Sequence, residues 1–263
     1  MKTLLYFAFF IWLSPSLQSC SLLAAAGFSS QGQPVKKVSE KQTLPTVNLI
    51  DHSDWDALLK KYVDENGLVN YDGFLNERDA LKKYLNKLAE NAPASSWSVE
   101  ELLAYYINLY NAATVELILE NYPVKSIKDI GGAWTKPRVT VGDKMLSLGG
   151  IENGILRKMN EPRIHFAINC ASFSCPVLLN EAYTATRMES QLEKAAFRFI
   201  NGDKNNITPD NPKLSQIFNW YAKDFKVNGK KEVVGYINKY SKIKIVEGAK
   251  LSYLKYNWNL NKS

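Results

Sequence analysis

The chain has 263 residues, of which 46% are hydrophobic and 22% charged, and this composition excludes a disordered chain, a collagen-like repeat and a multi-span membrane protein. The net charge of +7 can be assigned to Lys223–Lys262, which holds ten lysines and three acidic residues. Only six of the 33 basic residues are arginine, and no basic run alternates with stacking aromatic residues. We therefore expect no nucleic-acid partner. The lysines are either solvated or contact an anionic membrane surface or an acidic glycan.

Residues 1–19 have the pattern of a secretion signal. Lys2 is followed by the apolar block Leu4–Leu13, which is too short for the ~20 residues of a membrane span. Leu17-Gln18-Ser19-Cys20 then resembles a bacterial lipobox, in which the cysteine is lipidated and becomes the mature N-terminus. This pattern predicts a protein that Cys20 anchors to a membrane of the cell envelope.

The alternative is ordinary cleavage after Ala24-Ala25-Ala26, which would release a secreted or periplasmic protein without lipid. Residues 20–50 are rich in Gly, Ser, Gln and Lys without helical periodicity, so we predict a flexible tether there. Residues 51–263 are predicted to form one globular domain.

The longest apolar segment predicts a central buried helix. Ser98 and Glu101 form a capping box, and residues 102–115 behind it are apolar nearly all round, which is typical of a helix without a solvent-facing side. Asn108 and Asn111 project from one side of this helix because they lie three residues apart. Burying the two amides without partners would cost on the order of 1–3 kcal/mol each. Either they bind the backbone of a neighbouring loop or they line a pocket.

After this helix the pattern changes to short strands and amphipathic helices. Val139–Leu148 reads as a β-hairpin around a Gly142-Asp143 turn. A short helix follows Gly149-Gly150 and has Glu152 in its first turn, where a carboxylate complements the helix dipole. Because the helices and strands do not alternate regularly, we predict a single α+β domain with several amphipathic helices and a small antiparallel sheet.

The segment Arg163–Asn169 alternates as a strand would. Ile164, Phe166 and Ile168 fall on one face, and Arg163, His165 and Asn169 fall on the other. The predicted strand leads directly into a loop of small residues between Cys170 and Cys175. His165 is the better placed of the two histidines in the domain.

Three interpretations of Cys170 and Cys175 remain open. A disulfide across the short loop is possible in an oxidising compartment. A thiolate activated by His165, with Asn169, Asn108 or Glu152 as the orienting group, would suit a cysteine hydrolase or acyltransferase. A metal site is disfavoured because one histidine near a Cys-x₄-Cys pair lacks the usual ligand spacing, and we expect no cofactor.

Five blocks of the chain carry a family resemblance, namely Tyr106–Ala112, Leu148–Arg157, Arg163–Ser172 with Ser174–Pro176, Ile217–Tyr221 with Asp224-Phe225, and Tyr256–Asn261. In this order they resemble the domain-of-unknown-function 547 family. The resemblance spans about residues 51–261 and implies no established activity. A buried helix followed by a His-bearing strand is also loosely similar to transglutaminase-like and papain-like cores, although the helix here carries Asn108 where those cores have a cysteine.

Two functional hypotheses follow. In the first, the protein is an envelope lipoprotein that performs thiol-dependent acyl transfer or hydrolysis, with Cys175 as nucleophile, His165 as general base and Asn108 as a positioning group. In the second, it is a non-catalytic module that binds a peptide, a glycan or a partner protein and contains a structural disulfide. The residues expected to line the pocket are Asn111, Glu152, Arg163, Asn169, Cys170 and Tyr110.

Overall fold

The computed structural model describes residues 16–40 and 49–263, with side chains from residue 21 onwards. Helices dominate the chain, and the prediction of an α+β domain is confirmed. The helices are α1 Ser16–Ala25, α2 Ser53–Tyr62, α3 Tyr71–Asn76, α4 Arg78–Glu90, α5 Val99–Glu120, α6 Ile164–Ala167, α7 Met188–Ile200, α8 Ile217–Trp220 and α9 Val233–Tyr240, with a π-helix at Gly150–Ile155 and a 3₁₀ turn at Leu156–Met159.

Helix α5 is the predicted central helix. It begins after Ser98, whose hydroxyl accepts a hydrogen bond from the Glu101 N–H at 3.1 Å, and every residue up to Leu119 is buried. Of the described helices it alone is long and apolar enough to span a membrane, and its apolar stretch lies wholly inside the domain. Tyr105 donates to the Leu88 carbonyl at 2.7 Å, so its polar hydroxyl is satisfied within the core.

The strands form small two-stranded sheets. The predicted hairpin is confirmed, since Val139–Val141 (β1) pairs antiparallel with Lys144–Leu146 (β2) and Gly142 provides the positive φ that the tight turn needs. A second antiparallel pair joins Lys226–Val227 (β4) and Lys230–Lys231 (β5). The pair formed by Lys213–Leu214 (β3) and Ser252–Tyr253 (β6) is parallel, which the sequence pattern did not indicate.

The predicted strand over Arg163–Asn169 is wrong. Ile164–Ala167 forms the single helical turn α6, in which the Ile164 N–H bonds to the Glu161 carbonyl and the His165 N–H to the Pro162 carbonyl. The alternation of apolar and polar residues was misleading as a strand signal here. All four residues of the turn are buried, so the polar ones do not mark a solvent-facing side. The chain becomes extended only at Ile168.

Helix α6 is held by a second apolar cluster beside the main core. Phe166 stacks on Phe199 of α7 at a centroid distance of 5.1 Å and on Phe225 at 5.8 Å, and Phe218 of α8 contacts all three rings. Aromatic pairs at these distances contribute about 0.5–1.5 kcal/mol beyond their buried area. This packing fixes the direction of the neighbouring His165 side chain.

The segment predicted to be a flexible tether makes many contacts in its described part. Ser21 donates to the Thr135 carbonyl at 2.7 Å, Ala24 is buried, and the Lys36 ammonium donates to the Trp97 carbonyl at 2.6 Å. Residues 21–36 therefore pack on the domain, which corrects the expectation of a free spacer over that stretch. The local pattern could not reveal this because the partners, such as Trp97 and Thr135, lie 61 and 114 residues further along the chain.

The N-terminal signal and the lipobox cannot be compared with the structure. Residues 1–15 and 41–48 lie outside the described residues, and Leu17–Cys20 falls in the part of α1 whose side chains are not described. Lipidation of Cys20 therefore stays a prediction.

Candidate functional site

A pocket of about 290 Å³ brings together five of the residues singled out from the sequence. These are Tyr110, Glu152, His165, Cys170 and Cys175. Five of the twelve remaining lining residues are aromatic. The twelve are Ala25, Trp134, Thr135, Gly149, Asn153, Ile168, Pro176, Ile217, Trp220, Tyr221, Tyr256 and Trp258.

The cysteine loop, residues 169–176, is tied at both ends by one side chain. Asn169 accepts from the Ala171 N–H at 2.8 Å and donates to the Pro176 carbonyl at 2.7 Å. Ala171 has φ of +58°, a left-handed conformation that costs an L-residue about 1–2 kcal/mol. Such strain persists where surrounding bonds over-determine it, and here the loop is folded back so that its two cysteines meet.

Both cysteines are free thiols in this structure. Their Sγ atoms are 2.9 Å apart, well beyond the ~2.05 Å of a disulfide bond. The Cys170 N–H donates to Cys175 Sγ at 3.0 Å. Cys175 is only 5% exposed, whereas Cys170 is partly exposed. The two thiols are thus in contact but chemically unequal.

Three groups that carry a polar hydrogen lie around Cys170 Sγ. Ser172 Oγ lies 3.1 Å away and the Tyr256 hydroxyl 3.5 Å away, in addition to the Cys175 thiol. The hydrogen bond from Cys175 lowers the pKa of Cys170 to about 7, with help from the two hydroxyls and against burial. Burial raises the pKa of Cys175 well above its usual value, and the neighbouring Cys170 raises it further. Cys170, and not the Cys175 that the sequence analysis favoured as nucleophile, is therefore the thiol of the pair that ionises more readily.

His165 is oriented by a carboxylate that the sequence did not suggest. Its Nε2 atom lies 2.8 Å from Asp224 Oδ2, and its ring stacks on Tyr221 at a centroid distance of 4.0 Å. Asp224 also receives two hydrogen bonds from Arg157, at 2.6 and 3.0 Å. Burial opposes ionisation of Asp224, but the bonds from His165 and Arg157 outweigh it and hold the carboxyl pKa well below its usual range. Asp224 is therefore a carboxylate that fixes the imidazole at the pocket wall.

Glu152 lies between two tyrosines on another wall. It accepts from the Tyr221 hydroxyl at 2.5 Å and from the Tyr110 hydroxyl at 3.2 Å. Burial is the main cause that raises the pKa of both tyrosines, and the Glu152 charge adds to it, so both remain donors. The N-terminal segment packs closely on the π-helix that carries Glu152. A Cβ atom on Gly154 of this helix would clash with the Ser29 carbonyl oxygen, so only glycine fits there.

An aromatic wall completes the pocket, formed by Trp134, Trp220, Tyr256 and Trp258. Trp258 contacts Tyr256 at a centroid distance of 4.5 Å, Trp220 at 5.7 Å and Trp134 at 6.0 Å. The C-terminal segment is held in place by the cysteine loop, since the Phe173 N–H donates to the Asn259 carbonyl at 2.7 Å. These residues, Tyr221 and Asp224 were missed as site residues. All but Trp134 stand in the two C-terminal blocks quoted for the family resemblance, which was the available signal.

The two asparagines of α5 lie away from the pocket lining. Asn108 donates to the Tyr183 carbonyl at 2.7 Å and accepts from its N–H at 3.0 Å. Asn111 donates to the Ala167 carbonyl at 3.0 Å and accepts from the Asn169 N–H at 2.8 Å. The interpretation that they bind loop backbone is thus confirmed. Both bonds of Asn108 go to the backbone of Tyr183, and Asn108 is not among the residues that line the pocket, so the structure does not bring the expected positioning group to the thiols.

Arg163 and Asn169 do not line the pocket either, and their contacts hold parts of the fold together. Arg163 is paired with Glu161 and Glu193 at 2.7 and 2.8 Å and also with Glu189. It joins α6 to α7, because the two partners Glu189 and Glu193 lie on α7. Asn169 shapes the cysteine loop, as described above. Within residues 16–40 and 49–263 no group of three His, Cys, Asp or Glu side chains is arranged to hold a metal ion.

Fold and site together define an α+β domain with a pair of unequal thiols at the wall of an aromatic pocket. Residues 94–200 match a protein family described as "Protein of unknown function, DUF547". The matched stretch includes Glu152, His165 and both cysteines, whereas Asp224 and Tyr256 lie beyond it. Neither the curated proteins nor the solved structures that were compared with the chain gave a match.

Proposed function

We propose that the protein is a thiol-dependent acyltransferase or hydrolase whose nucleophile is Cys170. The observation that carries this proposal is that the Cys175 thiol and the hydroxyls of Ser172 and Tyr256 all lie within hydrogen-bond distance of Cys170 Sγ at the pocket wall. In the ionised state Cys170 Sγ only accepts, so an S–H or O–H of these neighbours that points at it stabilises the thiolate. A nucleophile with a pKa close to neutral pH is ionised without losing much reactivity.

The chemistry requires a proton donor as well as a nucleophile. The Cys170 thiolate would attack the carbonyl carbon of an ester, thioester or amide, and the bond to the leaving group would break with its electron pair going to that group. His165, held by Asp224, lines the same pocket and is the group we assign to protonate the leaving group. Water or another acceptor would then remove the acyl group from Cys170 and return it to a thiolate.

Two measurements on the reduced full chain test this proposal, in a Cys20→Ser background so that only the loop cysteines remain. We expect alkylation by iodoacetamide to be confined to Cys170, with a midpoint near pH 7, and p-nitrophenyl acetate to leave an acetyl group on Cys170. Cys170→Ser should lose both reactions, and Cys175→Ser should keep the acetylation. An alkylation midpoint at the value of an ordinary thiol, or acetylation that does not require Cys170, would refute the assignment.

We further propose that the protein is exported and held in the cell envelope by lipid on Cys20. Cleavage before Cys20 would retain Ser21 and Ala24, which pack on the domain, whereas cleavage after Ala26 would remove both. This difference favours the lipobox over the alternative cleavage site. Several acyl chains hold a protein on a bilayer durably, at about 0.8 kcal/mol per buried CH₂.

The anchor is tested by expressing the full chain in a bacterium and separating its membranes. Mass spectrometry should find a diacylglyceryl group on an N-terminal Cys20, and Cys20→Ala should release the protein from the membrane fraction or block its processing. A mature chain that begins at Gly27 would refute the proposal.

The aromatic wall favours a second candidate function, binding without catalysis. The rings of Trp134, Trp220 and Trp258 line the pocket, and flat aromatic faces suit a peptide side chain or a sugar ring. Under this candidate a ligand that quenches tryptophan fluorescence should bind Cys170→Ser as tightly as the unaltered chain, and no acyl adduct should form. Acetylation of Cys170 would exclude it.

A further inference from the structure

The two thiols of the cysteine loop have the asymmetry of an attacking and a resolving cysteine. Both cysteines line the pocket with their Sγ atoms 2.9 Å apart, but Cys170 is partly exposed whereas Cys175 is buried. An external reagent therefore meets Cys170 first. Formation of a bond between them requires the sulfurs to approach by only about 0.9 Å.

We propose that Cys170 and Cys175 form a reversible dithiol–disulfide couple that exchanges electrons with a low-molecular-weight disulfide bound in the pocket. This activity needs the Cys170 thiolate on which the proposed function also rests, but it does not require acyl transfer. The pocket volume of about 290 Å³ is at the lower end for small-molecule sites. Because Cys170 lies in the pocket wall, the structure favours a small disulfide over a disulfide within a folded protein.

The exchange balances in two steps. The Cys170 thiolate attacks one sulfur of the disulfide RS–SR, the S–S bond breaks, and one RS⁻ leaves with the electron pair and takes a proton from solvent. Cys175 then loses its proton and attacks the Cys170 sulfur of the mixed disulfide, which expels the second RS⁻. The protein dithiol is oxidised by two electrons, and RS–SR is reduced to two RSH.

The first step itself activates the second cysteine. While Cys170 is a thiolate, its charge and its hydrogen bond hold the proton on Cys175. In the mixed disulfide that charge is gone, and the Cys170 N–H still points at Cys175 Sγ from 3.0 Å, where it stabilises a second thiolate. Burial protects Cys175 from reagents in solution but not from the neighbouring sulfur, which is already in contact.

The backbone of the loop favours closure over the release of a mixed disulfide. Asn169 ties Ala171 and Pro176 together, and the Cys175 N–H bonds to the Ser172 carbonyl at 3.0 Å. These bonds hold the two cysteines together before any covalent bond exists, so little chain entropy is left to lose on ring closure. The effective concentration of Cys175 at Cys170 is correspondingly high.

The test uses the reduced full chain with Cys20→Ser and bis(2-hydroxyethyl) disulfide as the probe. We expect the unaltered loop to lose two hydrogen atoms in mass and to release two equivalents of 2-mercaptoethanol. Cys175→Ser should stop at a stable mixed disulfide on Cys170 with one equivalent released, and Cys170→Ser should react far more slowly. An excess of 2-mercaptoethanol should restore the dithiol.

A chain that accumulates the mixed disulfide although Cys175 is present would overturn the inference, and so would an internal disulfide that excess thiol cannot reopen. Cys175→Ala serves as a second variant if Cys175→Ser fails to fold, and circular dichroism verifies the fold of each. The outcome is separable from that of the acyl proposal. A chain that closes the disulfide but never takes up acetyl refutes acyl transfer alone, and a chain that is acetylated but never closes the disulfide refutes the redox couple alone.

Discussion

The asparagine pair of α5 and the cysteine pair of the loop were both candidates for the site, and the structure uses them differently. Asn108 and Asn111 each give a donor and an acceptor to the backbone of a neighbouring loop. Cys170 and Cys175 bond mainly to each other and line a cavity. A buried polar group that is bonded to backbone stabilises the fold, whereas one that faces a cavity remains available for chemistry.

The largest effect on folding is expected from Asn108→Ala. The substitution leaves the buried N–H and carbonyl of Tyr183 without partners, each at a cost of about 1–3 kcal/mol. The free energy of unfolding in urea should therefore fall by about 2–6 kcal/mol. The alkylation midpoint of Cys170 should stay near pH 7, because Asn108 does not contact the thiols. A shift of that midpoint without loss of stability would place Asn108 in the site and break the comparison.

The opposite pattern is expected for Cys175→Ala. The hydrogen bond from Cys175 is the main cause of the lowered pKa of Cys170, so its loss should move the alkylation midpoint upward by about one unit or more. Ser172→Ala is the matched control and should give a smaller shift in the same direction. If Ser172→Ala moves the midpoint further than Cys175→Ala, the thiol pair is not the unit that activates Cys170.

The sequence predicted those secondary-structure elements that residues close together in the chain determine. The cap at Ser98, the fully apolar helix behind it and the Gly142 turn all follow from nearest-neighbour chemistry, and all three were predicted. The turn at Ile164–Ala167 was not, because burial on all sides removes the periodicity that separates helix from strand.

The site was only half visible for a related reason. His165, Glu152 and the cysteines stand in short motifs, but Asp224 and Tyr256 reach them from 59 and 86 residues further along the chain. Contacts over such separations depend on how the aromatic cluster and the C-terminal segment pack. No local pattern encodes that packing.

The two histidines repeat the contrast between fold and site, and they allow a test by pH. His52 is 4% exposed and its Nδ1 atom lies 2.7 Å from the Tyr84 hydroxyl. Burial lowers its pKa from 6.5 to about 4. The unfolded chain therefore binds a proton between pH 6.5 and 4 that the folded chain does not. Stability should be fully present above pH 6.5 and should fall by up to about 1.4 kcal/mol per pH unit as the pH drops through this window.

Urea unfolding at pH 7 and pH 5 measures this dependence, with His52→Gln as the control. The difference in unfolding free energy between the two pH values should be smaller in the variant, because glutamine cannot take up the proton. An equal difference in both proteins would mean that His52 does not contribute. Asp224 does not affect this comparison. Its pKa is lowered in the folded chain, so its contribution to the pH dependence of stability falls below about pH 5.

The smallest effect is expected at Ala171, between the two thiols. Glycine would relieve the cost of a positive φ, about 1–2 kcal/mol. It would also lose a buried methyl group and add entropy to the unfolded chain, together about 1–2 kcal/mol. Ala171→Gly should therefore change the unfolding free energy by less than about 1 kcal/mol and leave the alkylation midpoint of Cys170 near pH 7. Ala171→Val should destabilise the protein more, because a β-branched residue is an outlier at positive φ.

These two variants also decide what holds the thiols together. Two hydrogen bonds hold the backbone of Ala171 without involving its side chain. The Asn169 side chain accepts from the Ala171 N–H, and the Asn261 N–H donates to the Ala171 carbonyl at 3.1 Å. If those bonds set the loop conformation, glycine at position 171 will not release it, and Cys170 will keep its contact with Cys175. A Cys170 midpoint that returns to the ordinary thiol value in Ala171→Gly would show instead that the side chain of residue 171 itself maintains the pair.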